Sequence, residues 1–284
     1  MRIRGIDIQP GVMNAACSEA KSIENVRTLA ATRIGAIVVG SITLKPREGN
    51  PPPQWYAGEH YALNSFGMPN NGAAFYREHL PEMISLAHES GKKFILSVAG
   101  FAPDDYAQLA TLADEAGVDI LELNLGCPNV SVGGEQKPIV SFDTIAMTEI
   151  IDRVSEATDI PLTLKLSPYS NPSQLKEVAE AIAASGKVAG VVTSNTFANG
   201  YMEERGQPVI ASEYGGVSGR ALFPIALGQV RQFRRALPEE IAVIGVGGVE
   251  SKDDVNRYLQ AGADGVQAAT LIVRDGHHAI NKLV

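Results

Sequence analysis

The stretch "LTLKLSPYSNPSQLKEVAEAIAASGKVAGVVTSN", residues 162–195, reads as a strand, a helix and a second strand. Its two ends are apolar runs that are too short for helices, a pattern typical of strands buried on both faces. Between them, Asn171 is placed to cap a helix that starts at Pro172 and stops at Gly186, with apolar residues at helical spacing. This order predicts two parallel strands joined by a helical crossover.

The same alternation recurs along the whole chain. Eight apolar runs of this kind lie at 12–16, 35–40, 93–100, 120–125, 162–167, 190–195, 242–248 and 265–270. Helical patterns with acidic starts and glycine stops separate them, most clearly at 103–117 and 251–262. Eight strand-then-helix units predict an α/β fold, a (β/α)8 TIM barrel, in one domain over 1–284. Little room is left for the eighth helix before Val284.

Composition narrows the class of protein. The 284 residues are 45% hydrophobic, enough for one large core, and 24 basic against 32 acidic residues give a net charge of −8, which argues against a nucleic-acid partner. Two cysteines without a CxxC motif exclude a disulfide scaffold and a cysteine zinc site. The N-terminus lacks a signal-like apolar core, and no apolar run approaches membrane length. We therefore expect a cytoplasmic protein with no membrane partner.

Two long loops follow the second and fourth predicted strands, at 41–72 and 128–142. Connections of this length in a compact domain usually have a function of their own. We expect both loops to cover an active site.

Polar residues cluster where the predicted strands end, which is where barrel enzymes place their reacting groups. These positions hold Asn14, Ser41, Asn124, Cys127, Lys165, Asn195, Thr196, Gly247, Gly248 and Thr270. The set has no carboxylate pair and no histidine cluster, which argues against glycoside hydrolysis and predicts no metal site. Several asparagines converging on one pocket suit a flat ligand edged with amide and carbonyl groups, such as a pyrimidine or a flavin.

Three features of this set leave more than one interpretation open. The glycines of "GVGGV" (245–249) can expose backbone N–H groups to a phosphate, although a short glycine motif is weak alone. Lys165, inside an apolar strand, needs a partner: a negatively polarised ligand atom, a Schiff base or a structural ion pair. Cys127 is either a base or a small buried spacer. Cys17, Trp55 and the five histidines are interpreted as structural.

The sequence resembles the class 1 dihydroorotate dehydrogenases, flavin enzymes of pyrimidine biosynthesis. The motifs that carry the resemblance occur in the family's order over essentially the whole chain: "REGNPPP", "LNSFGMPNNG", "NLGCPNV", "LTLKLSPY", "TSNTFANG", "YGGVSG" and "VIGVGGVES". The resemblance implies a (β/α)8 barrel that binds FMN and oxidises dihydroorotate to orotate. A cysteine in "NLGCPNV" is similar to the soluble members, whereas the membrane-associated class has serine.

The resemblance also implies roles for individual residues. Cys127 would remove the C5 proton while the C6 hydride passes to flavin N5, and Lys165 would face the flavin N1/O2 edge. The implied FMN-binding residues are Ala15, Ala16, Gly40, Ser41, Asn124, Lys165, Thr193, Gly219, Gly247, Gly248, Ala269 and Thr270. The implied substrate-binding residues are Asn64, Phe66, Gly67, Met68, Asn124, Asn129, Asn195 and Thr196. The 128–142 loop would act as a lid over the substrate.

Two positions depart from the family pattern. Gly40 stands where the family has a lysine at the end of strand two, and Lys45 lies too far along to be equivalent. The pocket thereby loses a positive charge that would hold an anionic substrate, so a neutral dihydropyrimidine or a related enone is an alternative substrate. A non-catalytic FMN-binding relative is a second alternative. If the missing lysine weakens activity, Gly40→Lys should raise activity on dihydroorotate. Gly126, where a serine is usual, is the milder departure.

Other functions are weighed against this interpretation. "NLGCP" also resembles tRNA-dihydrouridine synthases, but a chain of charge −8 lacks the basic face that RNA needs. A Schiff-base aldolase on Lys165 would not need Cys127 or the amides. Members of the family use fumarate as electron acceptor, or pass electrons to NAD through a separate iron–sulfur flavoprotein subunit. Two cysteines cannot hold an iron–sulfur cluster, so the second route would need a partner chain here. The family also suggests a homodimer.

Overall fold

The computed structural model describes residues 1–129, 131–132 and 135–284, and within it eight parallel strands close into a barrel. The barrel strands, β1 to β8, are Val12–Asn14, Ala36–Ile42, Lys93–Val98, Ile120–Asn124, Leu162–Leu166, Val188–Thr193, Ala242–Val246 and Gly265–Ala268. Each strand pairs with the next in the chain, and β8 pairs with β1. The predicted barrel and its eight strands are confirmed.

A helix follows every barrel strand. Helices α1 to α8 are Ile23–Ala30, Gly72–Glu89, Pro103–Ala116, Thr144–Ala157, Pro172–Ser185, Phe223–Ala236, Lys252–Ala261 and Thr270–Asp275. Helix α5 has the predicted ends: the Asn171 side chain accepts from the Ser173 N–H at 2.9 Å, and Gly186 takes the left-handed φ of 63°. The last helix is short, and a 3₁₀ helix, His277–Leu283, continues it and contacts α1 and α7.

The core has an outer and an inner part. The outer part lies between strands and helices, and the inner part fills the barrel with side chains such as Met13, Val38 and Ile244. The N-terminal hairpin, Arg2–Ile3 paired with Ile6–Asp7, adds Ile3 and Ile8 to the inner part. Apolar packing thus fills the barrel interior beneath the carboxyl ends of its strands.

Asn14 has a structural task at the end of β1. Strands β1 and β2 share a single register pair, Met13 with Ala36, so backbone pairing between them is sparse. The Asn14 amide bridges the gap, because it donates to the Val38 carbonyl at 2.7 Å and accepts from the Val38 N–H at 3.0 Å. The Asn14 side chain therefore joins β1 to β2 beneath the barrel mouth.

A second sheet stands at the mouth of the barrel. Its four antiparallel strands lie in the order Phe197–Tyr201, Tyr214–Ser218, Ala62–Asn64 and Trp55–Ala57. It joins the predicted long loop after β2 to a third excursion, between β6 and α6, which the sequence did not indicate. Two-stranded pairing of Glu203–Glu204 with Gln207–Pro208 extends this third excursion.

The loop after β4 is described in part. Ser131–Val132 pairs with Glu135–Gln136, and a 3₁₀ helix spans Val140–Phe142. Residues 130, 133 and 134 lie outside the described residues, and the predicted lid falls partly on them. Lys137 ties the returning chain to the loop after β3, because its ammonium donates to the Gly100 carbonyl at 2.5 Å.

Candidate active site

The carboxyl ends of the barrel strands open into two adjoining spaces. We call the larger, of about 720 Å³, the main cleft and the smaller, of about 520 Å³, the side recess. The residues that line both are Ala16, Cys17, Asn64, Phe66, Lys165, Asn195 and Thr196. Because so many walls are shared, the two spaces form one continuous site at the end of the barrel where such enzymes react.

Predicted cofactor residues lie mainly around the main cleft. Those that line it are Ala15, Ala16, Lys165, Gly247, Gly248, Ala269 and Thr270. Three more line the side recess instead: Gly40, Ser41 and Asn124. Thr193 and Gly219 line neither space. Thr193 is buried at the end of β6, and a Cβ added at Gly248 would lie 2.7 Å from the Gly219 carbonyl oxygen, so Gly219 sits behind Gly248.

The glycine turn after β7 is held in place from behind. Gly247 and Gly248 have φ values of 138° and 65°, which favour glycine and leave the backbone open to the cleft. Arg220 donates to the Gly248 carbonyl at 3.1 Å and pairs with Asp254 at 2.6 Å. Burial acts to raise the pKa of Asp254, but hydrogen bonds from Arg220, Glu250 and Ser251 outweigh it and lower that pKa. The turn is thus fixed before any anion arrives.

Lys165 projects from β5 between the two spaces. The residue is 5% exposed, and its ammonium forms no hydrogen bond or ion pair with any of the residues that the structure describes. The hydroxyls of Ser194 and Thr196, which also line the main cleft, are buried without a described partner. A buried cation and unsatisfied hydroxyls are unfavourable unless a ligand completes them. This cleft therefore fits a ligand with several acceptor atoms.

Predicted substrate residues all line the side recess, and their amides form two pairs. Asn195 donates to the Asn124 side-chain oxygen at 3.3 Å. Asn129 donates to the Asn64 side-chain oxygen at 3.3 Å and to the Asn64 backbone carbonyl at 2.9 Å. Asn124 also donates to the Ser41 hydroxyl at 2.8 Å. The remaining predicted members are Phe66, Gly67, Met68 and Thr196. The pairing fixes which edge of each amide is free for a flat ligand.

Cys127 lies in the wall of the side recess, just beyond β4. Burial raises the pKa of its thiol, whereas the Asn129 backbone and the positive charges of Lys21, Lys165 and Arg47 act in the opposite direction. Burial is the largest of these influences, so the thiol form predominates at neutral pH. The positive charges of these three side chains nonetheless favour the thiolate form.

Comparison with known proteins identifies the family. A family model described as Dihydroorotate dehydrogenase matches residues 1–284. The chain belongs to the dihydroorotate dehydrogenase family. It is 33% identical over 280 residues to "Dihydroorotate dehydrogenase (fumarate)" of Trypanosoma cruzi, covering 95% of this chain and 86% of the relative. It is 35% identical over 242 residues to "Dihydroorotate dehydrogenase B (NAD(+)), catalytic subunit" of Desulforamulus reducens, covering 84% and 75%.

A solved structure shares the fold. The crystal structure of DHODH in complex with ferulenol from Eimeria tenella covers 99% of this chain and 81% of its own, with a TM-score of 0.81 and 20% identity.

The predicted family and enzyme class, a flavin oxidoreductase acting on a CH–CH donor, are confirmed by the membership. The RNA-modifying and aldolase alternatives gain no support. No described helix has both the length and the apolarity needed to cross a bilayer.

The walls of the two spaces include residues that sequence reasoning missed. Cys17 and Trp55, interpreted as structural, line the main cleft, as does Ser218; Cys17 also lines the side recess, and Trp55 stacks on Phe66 with ring centroids 6.1 Å apart. Lys21 lines the side recess. A signal for Cys17 existed, because it follows the end of β1 as Cys127 follows the end of β4.

The two departures from the family pattern have backbone causes. Gly40 has a φ of 124°, and a Cβ there would lie 2.3 Å from the Ser97 carbonyl oxygen. A lysine at this position would require β2 to shift from β3, which weighs against the expectation that Gly40→Lys raises activity; that expectation stays a prediction. At Gly126, a Cβ would lie 2.6 Å from the Ser167 nitrogen, which leaves no room for a serine.

Proposed function

We propose that the protein binds FMN and oxidises dihydroorotate to orotate in pyrimidine biosynthesis. The observation that carries this proposal is the site itself. One continuous space brings a buried, unpaired lysine, a ring of paired amides and a thiol together, in a chain of the dihydroorotate dehydrogenase family. The relatives named above carry dihydroorotate in their names.

The main cleft is the proposed place for FMN. Its phosphate would be held by the backbone of Gly247 and Gly248 and by Thr270, and Lys165 would meet the acceptor atoms of the ring. The buried hydroxyls of Ser194 and Thr196, which have no described hydrogen-bond partner, support this fit. FMN, when bound, supplies the acceptor for the hydride that leaves the substrate.

The side recess is the proposed place for dihydroorotate. The amides of Asn64, Asn124, Asn129 and Asn195 would orient the pyrimidine ring through its carbonyl and N–H edges. Cys127 would take the proton from C5 while the hydride leaves C6. The residues of this chain would accelerate the reaction by holding the pyrimidine ring and the Cys127 thiol in one fixed orientation.

The test is an anaerobic titration of the FMN-loaded protein with dihydroorotate, followed through the visible flavin spectrum. We expect stoichiometric bleaching. A yellow protein that dihydroorotate does not bleach, but that a neutral dihydropyrimidine does, would reject the proposed substrate. Failure of both to bleach it would favour the non-catalytic alternative. Addition of fumarate to the bleached protein then tests the proposed acceptor, because reoxidation restores the yellow colour. If the colour returns only with a separate electron-transfer subunit and NAD, the route through that subunit is supported.

A pH dependence follows from the buried thiol. Because the proposed base is the thiolate and burial raises the pKa of the thiol, the rate constant of flavin reduction at saturating dihydroorotate should rise with pH through the neutral range. Far below the raised pKa, the increase should approach about tenfold per pH unit, since the thiolate fraction grows by that factor. Stopped-flow reduction of the flavin between pH 6 and pH 10 measures this. A flat profile with a fast chemical step would exclude Cys127 as the base.

Assembly and location stay predictions. We propose a homodimer in the cytoplasm, with fumarate or a separate electron-transfer subunit as partner. Sedimentation of the purified protein tests the dimer directly.

A further inference from the structure

We propose that Lys21 binds the carboxylate of the anionic substrate and so supplies, from the segment before α1, the positive charge that the family places on strand two. The proposal rests on the function proposed above and concerns the same site. Lys21 lines the side recess together with Cys127, Asn129 and Met68, so its side chain borders the space proposed for dihydroorotate.

The fold holds the Lys21 backbone in place at two points. Its N–H donates to the Asn25 side chain at 3.2 Å, as part of the hydrogen bonding that caps α1. Its carbonyl accepts from the hydroxyl of Tyr76, a fully buried residue of α2, at 3.1 Å. The residue is therefore not a solvated surface lysine whose position is set by chance.

The ammonium lies next to predicted substrate-binding residues. Lys21 Nζ donates to the Pro69 carbonyl at 2.6 Å, next to Phe66, Gly67 and Met68 in the wall of the recess. An ammonium has three donors, and a single hydrogen bond to a described residue leaves others for a ligand. A carboxylate at the 66–68 wall would meet this cation.

Charge balance in the recess favours an anionic occupant. The described residues that line it include Lys21 and Lys165 but no aspartate or glutamate, and neither lysine forms an ion pair with a described residue. Burial lowers the pKa of Lys21 to about 8, and only the thiols of Cys17 and Cys127 act to raise it. A cation that is destabilised by burial gains most from an opposite charge.

The geometry at Gly40 explains why the charge comes from elsewhere. A side chain at 40 would collide with the Ser97 carbonyl, so β2 cannot carry a lysine in its present conformation. Lys21 lies between β1 and α1, in the neighbouring strand–helix unit of the barrel, and lines the same recess as Gly40. The lost charge therefore has a replacement, and the main reason for a neutral substrate disappears.

The test compares two ligands of nearly equal shape, orotate and its neutral carboxamide, on the oxidised FMN-loaded protein. Binding of each is followed through the flavin spectrum. In Lys21→Gln, which keeps a donor for the Pro69 carbonyl but removes the charge, we expect the Kd for orotate to rise at least tenfold, a change of about 1.4 kcal/mol. The Kd for the carboxamide should stay within about threefold by the same reasoning. Lys45→Gln, an exposed lysine outside the recess, is the matched control.

Each other outcome contradicts a stated claim. Unchanged orotate binding in Lys21→Gln overturns the proposal, and equal losses for both ligands assign Lys21 a structural role instead. Lys21→Arg provides a second test, because it keeps the charge and should keep the preference for orotate over the carboxamide. If the wild-type protein binds the carboxamide but neither binds orotate nor is bleached by dihydroorotate, the proposed substrate itself fails. That result is distinguishable from a failure of Lys21 alone.

Discussion

Replacing Cys127 by alanine is expected to slow flavin reduction by dihydroorotate by roughly 10²–10⁴-fold, the usual contribution of a positioned general base. The variant removes the proton acceptor but leaves the amide pairs Asn64–Asn129 and Asn124–Asn195 in place. Stopped-flow absorbance under anaerobic conditions measures the effect. The loss should fall on the rate of reduction at saturating substrate.

Two controls separate a chemical role of Cys127 from a structural one. The Kd for orotate should change little in Cys127→Ala, since the thiol is not among the proposed ring-binding groups. The FMN content should also match that of the wild-type protein. A variant that reduces its flavin at nearly the wild-type rate would show that another group takes the proton.

The second large effect is expected at Lys165. Lys165→Met should lower the rate of flavin reduction by roughly 10²–10³-fold, because a fixed cation at the site of developing negative charge is lost. The retained FMN should fall as well. Lys176→Met, on the exposed face of α5, is the matched control.

Lys165→Met should also stabilise the FMN-free protein, although the same change lowers the rate of flavin reduction. In the FMN-free protein the buried ammonium has no described partner, so replacing it with an apolar side chain should raise the Tm. Differential scanning calorimetry of both FMN-free proteins measures this. A lower Tm would mean that the lysine is part of the structural core, and the proposed role as a ligand-facing cation would then lose its support.

The barrel could be predicted from the sequence because its signals are local. Each strand is a short apolar run, and α5 carries its own cap at Asn171 and its own stop at Gly186. The mouth sheet has no such signal. Its strands are three to five residues long, and Phe197–Tyr201 alternates between exposed and half-buried positions. Tyr214–Ser218 lies between Phe197–Tyr201 and Ala62–Asn64 in the sheet, although Ala62–Asn64 is far away in the chain. Pairing over such distances leaves no periodic pattern to read.

Lining residues on the barrel strands could be predicted from the sequence, whereas Lys21, which lies in a connection, could not. Lys165 and Asn124 lie on barrel strands, so their direction follows from the strand period. Lys21 lies between a strand and a helix, and its position depends on Asn25 and Tyr76, which no spacing rule connects to it. Likewise, the sequence shows the missing lysine at Gly40 but not the backbone conformation that excludes it.

The mouth sheet divides the walls of the site into two kinds. The chain around Asn64 is ordered by pairing with Tyr214–Ser218, so the conformational entropy of these two excursions is lost on folding and not on ligand binding. The segment after Cys127 is ordered outside the mouth sheet: among the described residues, Ser131–Val132 pairs with Glu135–Gln136, and Lys137 donates to the Gly100 carbonyl. A ligand therefore meets a preorganised wall on the side of Asn64, and that wall is where discrimination between similar rings should be set.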